Sequence, residues 1–232
     1  MNLQHLEPEQ LLERASALAK GRIALATSFS IEDQILTHMI CATHLPISIF
    51  TLDTGRLPQE TYEVMHATMK KYRVHIEVIF PNKEDVEPMT VKYGPNLFYE
   101  SLHKRKLCCF VRKVKPLKER LSTLDVWLCG LRNEQSLTRN NISIVEHDQI
   151  NELIKINPLA QWSIQRVWDY IKKNNIPFNT LYNKNYLSIG CAPCTRPVSP
   201  GENIRDGRWW WEKSIHKECG LHSKNSQRKL SP

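Results

Sequence analysis

The chain has 232 residues, of which 41% are hydrophobic and 24% are charged, ordinary values for a globular protein with a sizeable core. No apolar run approaches the ~20 residues of a membrane span, and the N-terminus lacks the basic start and apolar stretch of a signal peptide, so we expect a cytoplasmic protein without a membrane partner. The net charge of +8 at pH 7 indicates an anionic ligand, such as a phosphate ester, a sulfate ester or a nucleic acid.

Helices and strands are predicted to alternate along most of the chain. Apolar periodicity and breaker residues place helices at residues 8–20, from residue 31, and at 59–72, 109–122 and 163–174. Short buried strands are predicted at residues 23–26, 47–52, 74–80 and 126–129, and a hairpin over residues 142–157. The hairpin is centred on His147 and Asp148. Ser30 and Ser163 are predicted to cap the helices that follow them.

This alternation predicts an α/β fold with a mostly parallel sheet, helices on both faces and an irregular C-terminal tail. Right-handed crossovers bring the loops at residues 27–30, 53–56 and 130–134 to the carboxyl edge of the sheet, where ligands of such folds bind. From about Tyr182 onward, the chain no longer shows the apolar periodicity of helices or strands. We predict an α/β domain over residues 1–181 and a C-terminal segment over residues 182–232, which ends in a mobile tail.

The seven cysteines of a chain expected to be cytoplasmic indicate metal ligands or catalytic thiols rather than disulfides. Cys108 and Cys109 are adjacent, and Cys191 and Cys194 form a C-x-x-C motif. Four thiolates in two local pairs can close around one metal centre. Adjacent cysteines suit an iron–sulfur cluster, whose separate irons can each take one thiolate, better than a single zinc ion, and zinc stays the alternative.

The other cysteines divide into core residues and one candidate nucleophile. Cys41 and Cys129 lie in apolar segments, and we interpret them as core residues. Cys219 has Lys217 two residues before it and His222 three residues after it. Nearby cations lower the pKa of a thiol and favour the reactive thiolate. Cys219 is therefore the candidate nucleophile, and the alternative is a tail cysteine without a role.

Three further features suit an anionic ligand. The turn at residues 27–30, Thr-Ser-Phe-Ser, leads from a strand into a helix, where hydroxyls, amides and the helix N-terminus can bind an anion. Arg205 and Arg208 flank a glycine and can fork onto phosphate or sulfate oxygens. The three tryptophans at residues 209–211 either stack on a base or anchor the C-terminal segment to the domain, and we favour anchoring.

Six motifs occur in an order that resembles one known family. They are Thr-Ser-Phe-Ser-Ile-Glu-Asp after the first strand, Leu-Asp-Thr-Gly-Arg-Leu, Cys-Cys-Phe-Val-Arg-Lys, Gly-Leu-Arg, Gly-Cys-Ala-Pro-Cys-Thr-Arg and Lys-Glu-Cys-Gly-Leu-His. From about Arg22 to His222 the chain resembles the assimilatory adenylyl-sulfate and phosphoadenylyl-sulfate reductase family. The resemblance implies an adenine-nucleotide alpha-hydrolase-like fold with a modified pyrophosphate-binding loop at residues 27–33, which lacks the Ser-Gly-Gly of ATP-cleaving relatives.

The resemblance also implies a site and a reaction. The implied ligands of a 4Fe-4S cluster are Cys108, Cys109, Cys191 and Cys194. The thiolate of Cys219 would attack the sulfur of the activated sulfate, AMP would leave, and thioredoxin or a similar dithiol would release sulfite from the S-sulfonate, in the route to cysteine. The implied substrate contacts are Thr27, Ser28, Phe29, Ser30, Asp33, Thr54, Gly55, Lys113, Arg132, Arg205, Arg208 and His222. Lys113 would lie near both cluster and substrate.

The sequence leaves alternatives open for the substrate and for the functional class of the protein. The four cysteines mark the cluster-bearing branch of the family, and this branch favours adenylyl sulfate as substrate. The alternative is an enzyme that uses both adenylyl sulfate and its 3′-phosphorylated form. Two other functional classes stay open. One is a nucleic-acid-binding module with a cluster or zinc, and the other is a nucleic-acid-modifying sulfur transferase on the same fold. The tail around Cys219 disfavours the first, and the absent Gly-Gly loop disfavours the second. We predict no nucleic-acid partner, and a homo-oligomer stays open.

Overall fold

The computed structural model describes residues 5–19, 21–135 and 142–212. The strands in these ranges are β1 (Ile23–Thr27), β2 (Ser48–Leu52), β3 (Glu77–Ile79), β4 (Val126–Leu128), β5 (Val145–Asp148) and β6 (Leu153–Ile156). They form one sheet in the order β3-β2-β1-β4-β6-β5. β5 runs antiparallel to β6 and all other neighbours are parallel, so the predicted mostly parallel sheet is confirmed.

The helices of the described ranges follow the strands in the alternation that the sequence predicts. They are α1 (Pro8–Ala19), α2 (Ile31–Ala42), α3 (Gln59–Tyr72), α4 (Lys83–Tyr93), α5 (Leu102–Cys109), α6 (Lys115–Leu121) and α7 (Ile164–Lys173). A π-helical turn, Phe110–Val114, joins α5 to α6. Single turns of 3-10 helix are Leu97–Tyr99, Asn133–Gln135, Thr180–Lys184 and Ala192–Cys194. In this part of the chain, every helix is too short or too polar to span a membrane.

Helices cover both faces of the sheet because strand side chains alternate between two cores. Leu25 and Leu128 face a core shared with α1, α2 and α7, whereas Ala24 and Trp127 face a core shared with α6. A third cluster, which includes Trp209, packs around the two cysteine pairs beside the sheet. The predicted arrangement of helices on both faces is confirmed.

The strand order reverses at β1. The chain moves outward from β1 to β2 and β3 and then returns to β4 on the other side of β1. Such a reversal opens a crevice at the carboxyl ends of the two central strands. The loops at residues 27–30 and 130–134 follow β1 and β4, and the loop at residues 53–56 follows β2. All three therefore lie at the carboxyl edge, as predicted.

Two predicted element boundaries are wrong. The strand predicted at residues 74–80 is shorter, since β3 covers only Glu77–Ile79. The helix predicted from residue 109 begins at Leu102, because Ser101 caps it by accepting a hydrogen bond from the amide of Lys104 at 3.2 Å. The earlier start places both adjacent cysteines on the last turn of a helix rather than at the start of one.

The predicted hairpin is confirmed, and its turn lies later than expected. His147 and Asp148 are the last residues of β5, and the turn covers residues 149–152. The carboxylate of Asp148 accepts hydrogen bonds from the amides of Ile150 and Asn151 at 3.0 and 3.1 Å. An aspartate at the end of a strand therefore forms the turn through its side chain instead of standing at the turn's centre.

Candidate functional site

A cavity of about 440 Å³ opens at the carboxyl ends of β1 and β4, where the strand order reverses. This volume lies in the usual range for pockets that bind small molecules. Part of the wall is apolar and includes Phe50, Leu117 and Trp127. The predicted site residues on the wall are Thr27, Ser28, Ser30, Asp33, Lys113, Arg132, Arg205 and Arg208. We call this the substrate cavity below.

The hydrogen-bond donors of the turn after β1 already bind acceptors of the chain itself. Phe29 has a φ of 58°, and its side chain packs in the core instead of lining the cavity. The amide and hydroxyl of Ser28 both donate to Oδ2 of Asp33, at 2.7 and 2.8 Å, and the amide of Phe29 donates to the hydroxyl of Thr27. Ser30 caps α2 by accepting from the amide of Asp33 at 3.2 Å. A ligand anion would have to displace the carboxylate of Asp33 to reach these donors.

The carboxyl group of Asp33 is buried at this turn. Burial raises its pKa to about 6; the hydrogen bonds from Ser28 oppose the shift, and the nearby charge of Glu32 adds to it. A Cβ atom on Gly130 would lie 2.3 Å from Oδ1 of Asp33. Any larger residue at position 130, just after β4, would therefore collide with the first turn of α2.

Stability is expected to depend on the charge of Asp33. In the native state the carboxyl group of Asp33 stays protonated up to about pH 6, whereas in the unfolded chain it loses its proton near pH ~4. The free energy of unfolding therefore falls as the pH rises between these two values. We expect Asp33→Asn to be more stable than the wild type at pH 8, by up to roughly 3 kcal/mol. The advantage should shrink to about half at pH 5. Urea unfolding at both pH values measures it, and a difference that does not change with pH would contradict the raised pKa.

Arg132 follows β4 and is almost fully buried in the cavity wall. Its Nε donates to Glu32 at 2.8 Å, and its Nη1 donates to Glu134 and to the carbonyl of Trp162, both at 3.1 Å. The structure therefore places this predicted anion-binding residue among two carboxylates of the chain. Its charge is balanced before any ligand arrives, which an isolated Gly-Leu-Arg motif could not reveal.

A second, smaller cavity of about 30 Å³ has all four paired cysteines in its lining. Cys108 and Cys109 reach it from the end of α5, and Cys191 and Cys194 reach it from the turn around Ala192–Cys194. The amide of Cys194 donates to the carbonyl of Cys191 at 2.9 Å, so a single tight turn brings this pair together. The structure thus joins two pairs that are far apart in the sequence. We call this the four-cysteine cavity.

Basic side chains surround the four-cysteine cavity. The cations in its lining are Arg56, Arg105, Arg112 and Lys113. Arg105 lies close enough to Cys109, and Arg112 close enough to Cys108, for each guanidinium group to stabilise the thiolate of that cysteine. The buried Nε of Arg112 has no hydrogen-bond partner among the residues that the structure describes. A group with several negative charges would satisfy these donors.

The four cysteine thiols can be compared with the two metal centres that the sequence allows, an iron–sulfur cluster and zinc. Burial raises the pKa of the Cys194 thiol to about 12, so a thiolate there needs a bound cation or metal to be stable. In the described ranges, no group of three or more His, Cys, Asp or Glu side chains is arranged around a single ion. Four cysteines that surround a cavity instead of meeting at one point fit a polynuclear cluster better than zinc.

Lys113 lines both cavities. It stands in the π-helical turn just after the cysteines of α5, and such turns are frequent at functional sites. Arg208 reaches the substrate cavity from the C-terminal segment, where its Nη1 donates to the carbonyl of Ile189 at 3.3 Å. The guanidinium group also lies 4.6 Å from the ring centre of Trp209. Arg205 lines the same cavity.

Two further predicted substrate contacts, Thr54 and Gly55, lie beside the four-cysteine cavity instead of on the wall of the substrate cavity. Thr54 lines the four-cysteine cavity and its hydroxyl is 3.2 Å from Sγ of Cys191, so the structure places it beside the cysteines. Gly55 also lies on that side, where a Cβ atom would be 3.5 Å from Nη1 of Arg112. Cys219 and His222 lie outside the described residues.

Sequence reasoning missed several residues of both cavities. Arg105 and Arg112 could have been found, because each stands four positions from a cysteine and residues at that spacing share a helix face. Arg56 reaches the cysteines from the loop after β2, and Tyr182 and Trp168 line the substrate cavity from the region around α7. Arg56 stands in the Leu-Asp-Thr-Gly-Arg-Leu motif, which could have marked it. No local signal marks Tyr182 or Trp168, because long-range packing brings them to the site.

The three tryptophans anchor the C-terminal segment, as the sequence analysis favoured. Trp209 is buried in the cluster around the cysteines. Trp211 packs against Tyr99 with the ring centres 4.5 Å apart. Trp210 is 40% exposed and its ring centre lies 4.7 Å from that of Trp211. Aromatic packing of this kind fixes the segment that carries Arg205 and Arg208.

Structural comparison supports the fold. A crystal structure of phosphoadenylyl-sulfate (PAPS) reductase from Candida auris in a phosphate complex aligns with a TM-score of 0.72 at 24% identity, over 85% of this chain and 93% of that chain. FMN adenylyltransferase from Candida glabrata aligns with a TM-score of 0.55 at 12% identity, over 84% of this chain and 65% of that chain. At these identities the likeness concerns the fold alone, and it agrees with the predicted α/β fold class.

Sequence comparison identifies the family. The model of the phosphoadenosine phosphosulfate reductase domain matches residues 22–197. A protein of Allochromatium vinosum named adenosine 5'-phosphosulfate reductase is 48% identical over 200 residues, which are 86% of this chain and 78% of that protein. A protein of the same name from Rhizobium meliloti is 42% identical over 229 residues, 98% of this chain and 86% of that protein. A domain match over most of the chain, together with such relatives, means that the chain belongs to the phosphoadenosine phosphosulfate reductase family.

Proposed function

We propose that the protein is an oxidoreductase that reduces adenylyl sulfate to sulfite and AMP in sulfate assimilation, with thioredoxin or a similar dithiol as reductant. The observation that carries the proposal is the identity of 42–48% with relatives named for this nucleotide. The site is compatible with it, because a nucleotide-sized cavity and a cavity lined by four cysteines share one lysine, Lys113. We expect this activity in the cytoplasm, where thiols are kept reduced.

The substrate cavity offers both halves of a binding site for such a nucleotide. Its apolar wall suits a flat base, and its cations suit the phosphate and sulfate groups. The buried Nε of Arg208 has no hydrogen-bond partner among the described residues, so it can donate to a ligand oxygen. Lys113 stands between this cavity and the cysteines, where its charge can act on an anion in the substrate cavity.

The proposed reaction uses one enzyme thiol and one external dithiol. The thiolate of Cys219 attacks the sulfur atom of the sulfate group; a sulfur–sulfur bond forms, and the bond from sulfur to the phosphate oxygen breaks, so that AMP leaves with the electron pair. A thiol of the reductant then attacks Sγ of Cys219 and sulfite leaves with the electron pair of the sulfur–sulfur bond. The second thiol of the reductant displaces Cys219 and a disulfide forms, which supplies the two electrons.

We propose that Cys108, Cys109, Cys191 and Cys194 hold a 4Fe-4S cluster. The cations around the four-cysteine cavity and the unpartnered Nε of Arg112 support an anionic group beside the cysteines. When bound, the cluster would supply an electrostatic environment for Lys113 and the substrate, because thiol chemistry already supplies the two electrons. Zinc, the alternative, is disfavoured by the spread of the sulfur atoms around a cavity.

Adenylyl sulfate is expected to be preferred over its 3′-phosphorylated form. The second phosphate needs a further cation. Four other basic residues in the described ranges, Lys92, Lys104, Arg105 and Lys106, do not line the substrate cavity. Lys104 pairs with Glu100, and Arg105 is buried against Glu212. An unpaired phosphate is costly, so we expect at least about a tenfold preference in kcat/KM, or ~1.4 kcal/mol.

One experiment tests the activity and the preference together. Purified protein is supplied with each nucleotide, RNA, thioredoxin and a system that keeps thioredoxin reduced, and sulfite, AMP, bound iron and sulfur in the RNA are measured. Sulfite and AMP from adenylyl sulfate in equal amounts are expected. Equal kcat/KM for the two nucleotides would support the dual-substrate alternative. Absence of sulfite, with sulfur transferred to a nucleic acid instead, would support the sulfur-transferase alternative.

A further inference from the structure

A buried ion pair joins the helix that carries Cys108 and Cys109 to the C-terminal segment. Arg105 on α5 donates through Nε and Nη2 to the two carboxylate oxygens of Glu212, at 2.9 and 2.8 Å. The side chain of Arg105 is 0% exposed and that of Glu212 is 7% exposed. A two-pronged contact of this kind fixes both side chains in one geometry, and the loss of either partner leaves a buried charge uncompensated.

Trp209 connects this ion pair to the substrate cavity. The guanidinium carbons of Arg105 and Arg208 both lie 4.6 Å from the centre of its indole ring. The amide of Glu212 donates to the carbonyl of Trp209 at 2.8 Å, and the amide of Trp209 donates to the carbonyl of Cys194 at 3.2 Å. Trp209 has a φ of 42°, so the surrounding contacts hold its backbone in the left-handed region.

Two like charges beside one indole ring repel each other unless one of them is neutralised. Glu212 neutralises Arg105, and Arg208 can then stay against Trp209 with its end group in the substrate cavity. If the charge of Glu212 is removed, Arg105 loses its two-pronged carboxylate partner, and the repulsion between the two cations beside the ring increases. Arg208 is the one that can leave, because it lines an open cavity whereas Arg105 is enclosed.

We propose that Arg105 and Glu212 are positioning residues whose buried ion pair holds Arg208 at the substrate cavity, in reach of the anionic groups of the nucleotide. Arg105 also lies close to the side chain of Cys109, so the contacts from Cys109 through Arg105 and Trp209 to Arg208 connect the two cavities. The proposal rests on the proposed function, because it takes the anionic part of adenylyl sulfate as the ligand of Arg208.

Binding to a variant that cannot turn over tests the proposal. In a Cys219→Ser background, the dissociation constant of adenylyl sulfate is measured by calorimetry with and without Glu212→Gln. We expect Glu212→Gln to weaken binding at least about tenfold, because a buried cation loses its partner. Glu212→Asp keeps the charge, and we expect it to bind within about threefold of the parent. Equal loss in both variants would overturn the role of charge neutralisation.

The chain offers a matched control in the same segment. Arg196 and Glu202 also form a two-pronged pair, at 2.8 and 2.6 Å, and their side chains are 32% and 30% exposed. Glu202→Gln should leave the dissociation constant unchanged, because an exposed pair contributes little. A loss equal to that of Glu212→Gln would show a general effect on the segment and would overturn the proposal.

A double-mutant cycle tests whether Glu212 acts through Arg208. With Arg208→Ala already present, Glu212→Gln should weaken binding no further, since the positioned group is gone. Additive losses would overturn this route. Hydrogen exchange of residues 205–212 should be faster in Glu212→Gln and unchanged at Trp209 in Glu202→Gln. A parent that does not bind adenylyl sulfate would overturn the proposed function instead, whereas a binding parent with an unaffected Glu212→Gln variant would overturn only the positioning role.

Discussion

Replacing Cys219 by serine is expected to abolish sulfite formation from adenylyl sulfate, with a loss in kcat of at least roughly 1,000-fold. A serine hydroxyl stays protonated near neutral pH and cannot form the sulfur–sulfur bond from which a dithiol releases sulfite. The iron content should stay unchanged, because Cys219 is separate in the sequence from both cysteine pairs. Mixing enzyme with substrate in the absence of reductant should add one sulfonate to the wild type and none to the variant, as measured by intact mass.

Cys194→Ser is the matched control, since it changes the same side chain at a proposed cluster ligand. We expect this variant to lose iron, whereas Cys219→Ser keeps it. Cys41 and Cys129 are not expected to carry the sulfonate, because burial raises the pKa of both thiols and keeps them protonated. A sulfonate mapped to either of them, or full activity of Cys219→Ser, would contradict the assignment of the nucleophile.

Gly190→Ala is expected to lower kcat/KM for adenylyl sulfate by about 10- to 100-fold, or roughly 1.4–2.7 kcal/mol. A Cβ atom at residue 190 would lie 2.2 Å from Nη2 of Arg208 and 2.5 Å from its Cζ, so the guanidinium group must move. The backbone of Gly190 is outside the left-handed region, and glycine is required there only for space. Steady-state kinetics with both nucleotides, together with thermal unfolding, measure the effect.

Gly201→Ala separates loss of space from a general effect of replacing glycine. Gly201 has a φ of 89°, and no atom lies within 4 Å of the position of an added Cβ. This control should lose about 1 kcal/mol of stability and keep kcat/KM. If Gly190→Ala acts through Arg208, adding it to Arg208→Ala should have no further effect. Wild-type kinetics in Gly190→Ala would mean that Arg208 does not need its observed position.

Most secondary structure was predictable because it depends on neighbouring residues. Short apolar runs and helical patterns, together with the caps at Ser30 and Ser163, place β1, β2, β4, α7 and the start of α2 close to their observed positions. α4 was not predicted, because only Met89 among its residues is buried and Pro88 stands inside it. An exposed helix lacks the apolar stripe from which sequence patterns detect helices.

The sequence by itself determined the family, the α/β alternation, the carboxyl-edge position of the loops and the two cysteine pairs, since all of these follow from local spacing and motif order. Only the tertiary structure decided which charges are already balanced. It pairs Arg132 with Glu32 and Arg105 with Glu212. Such pairs join residues about a hundred positions apart, and no local pattern encodes them, because they depend on how burial brings distant segments together.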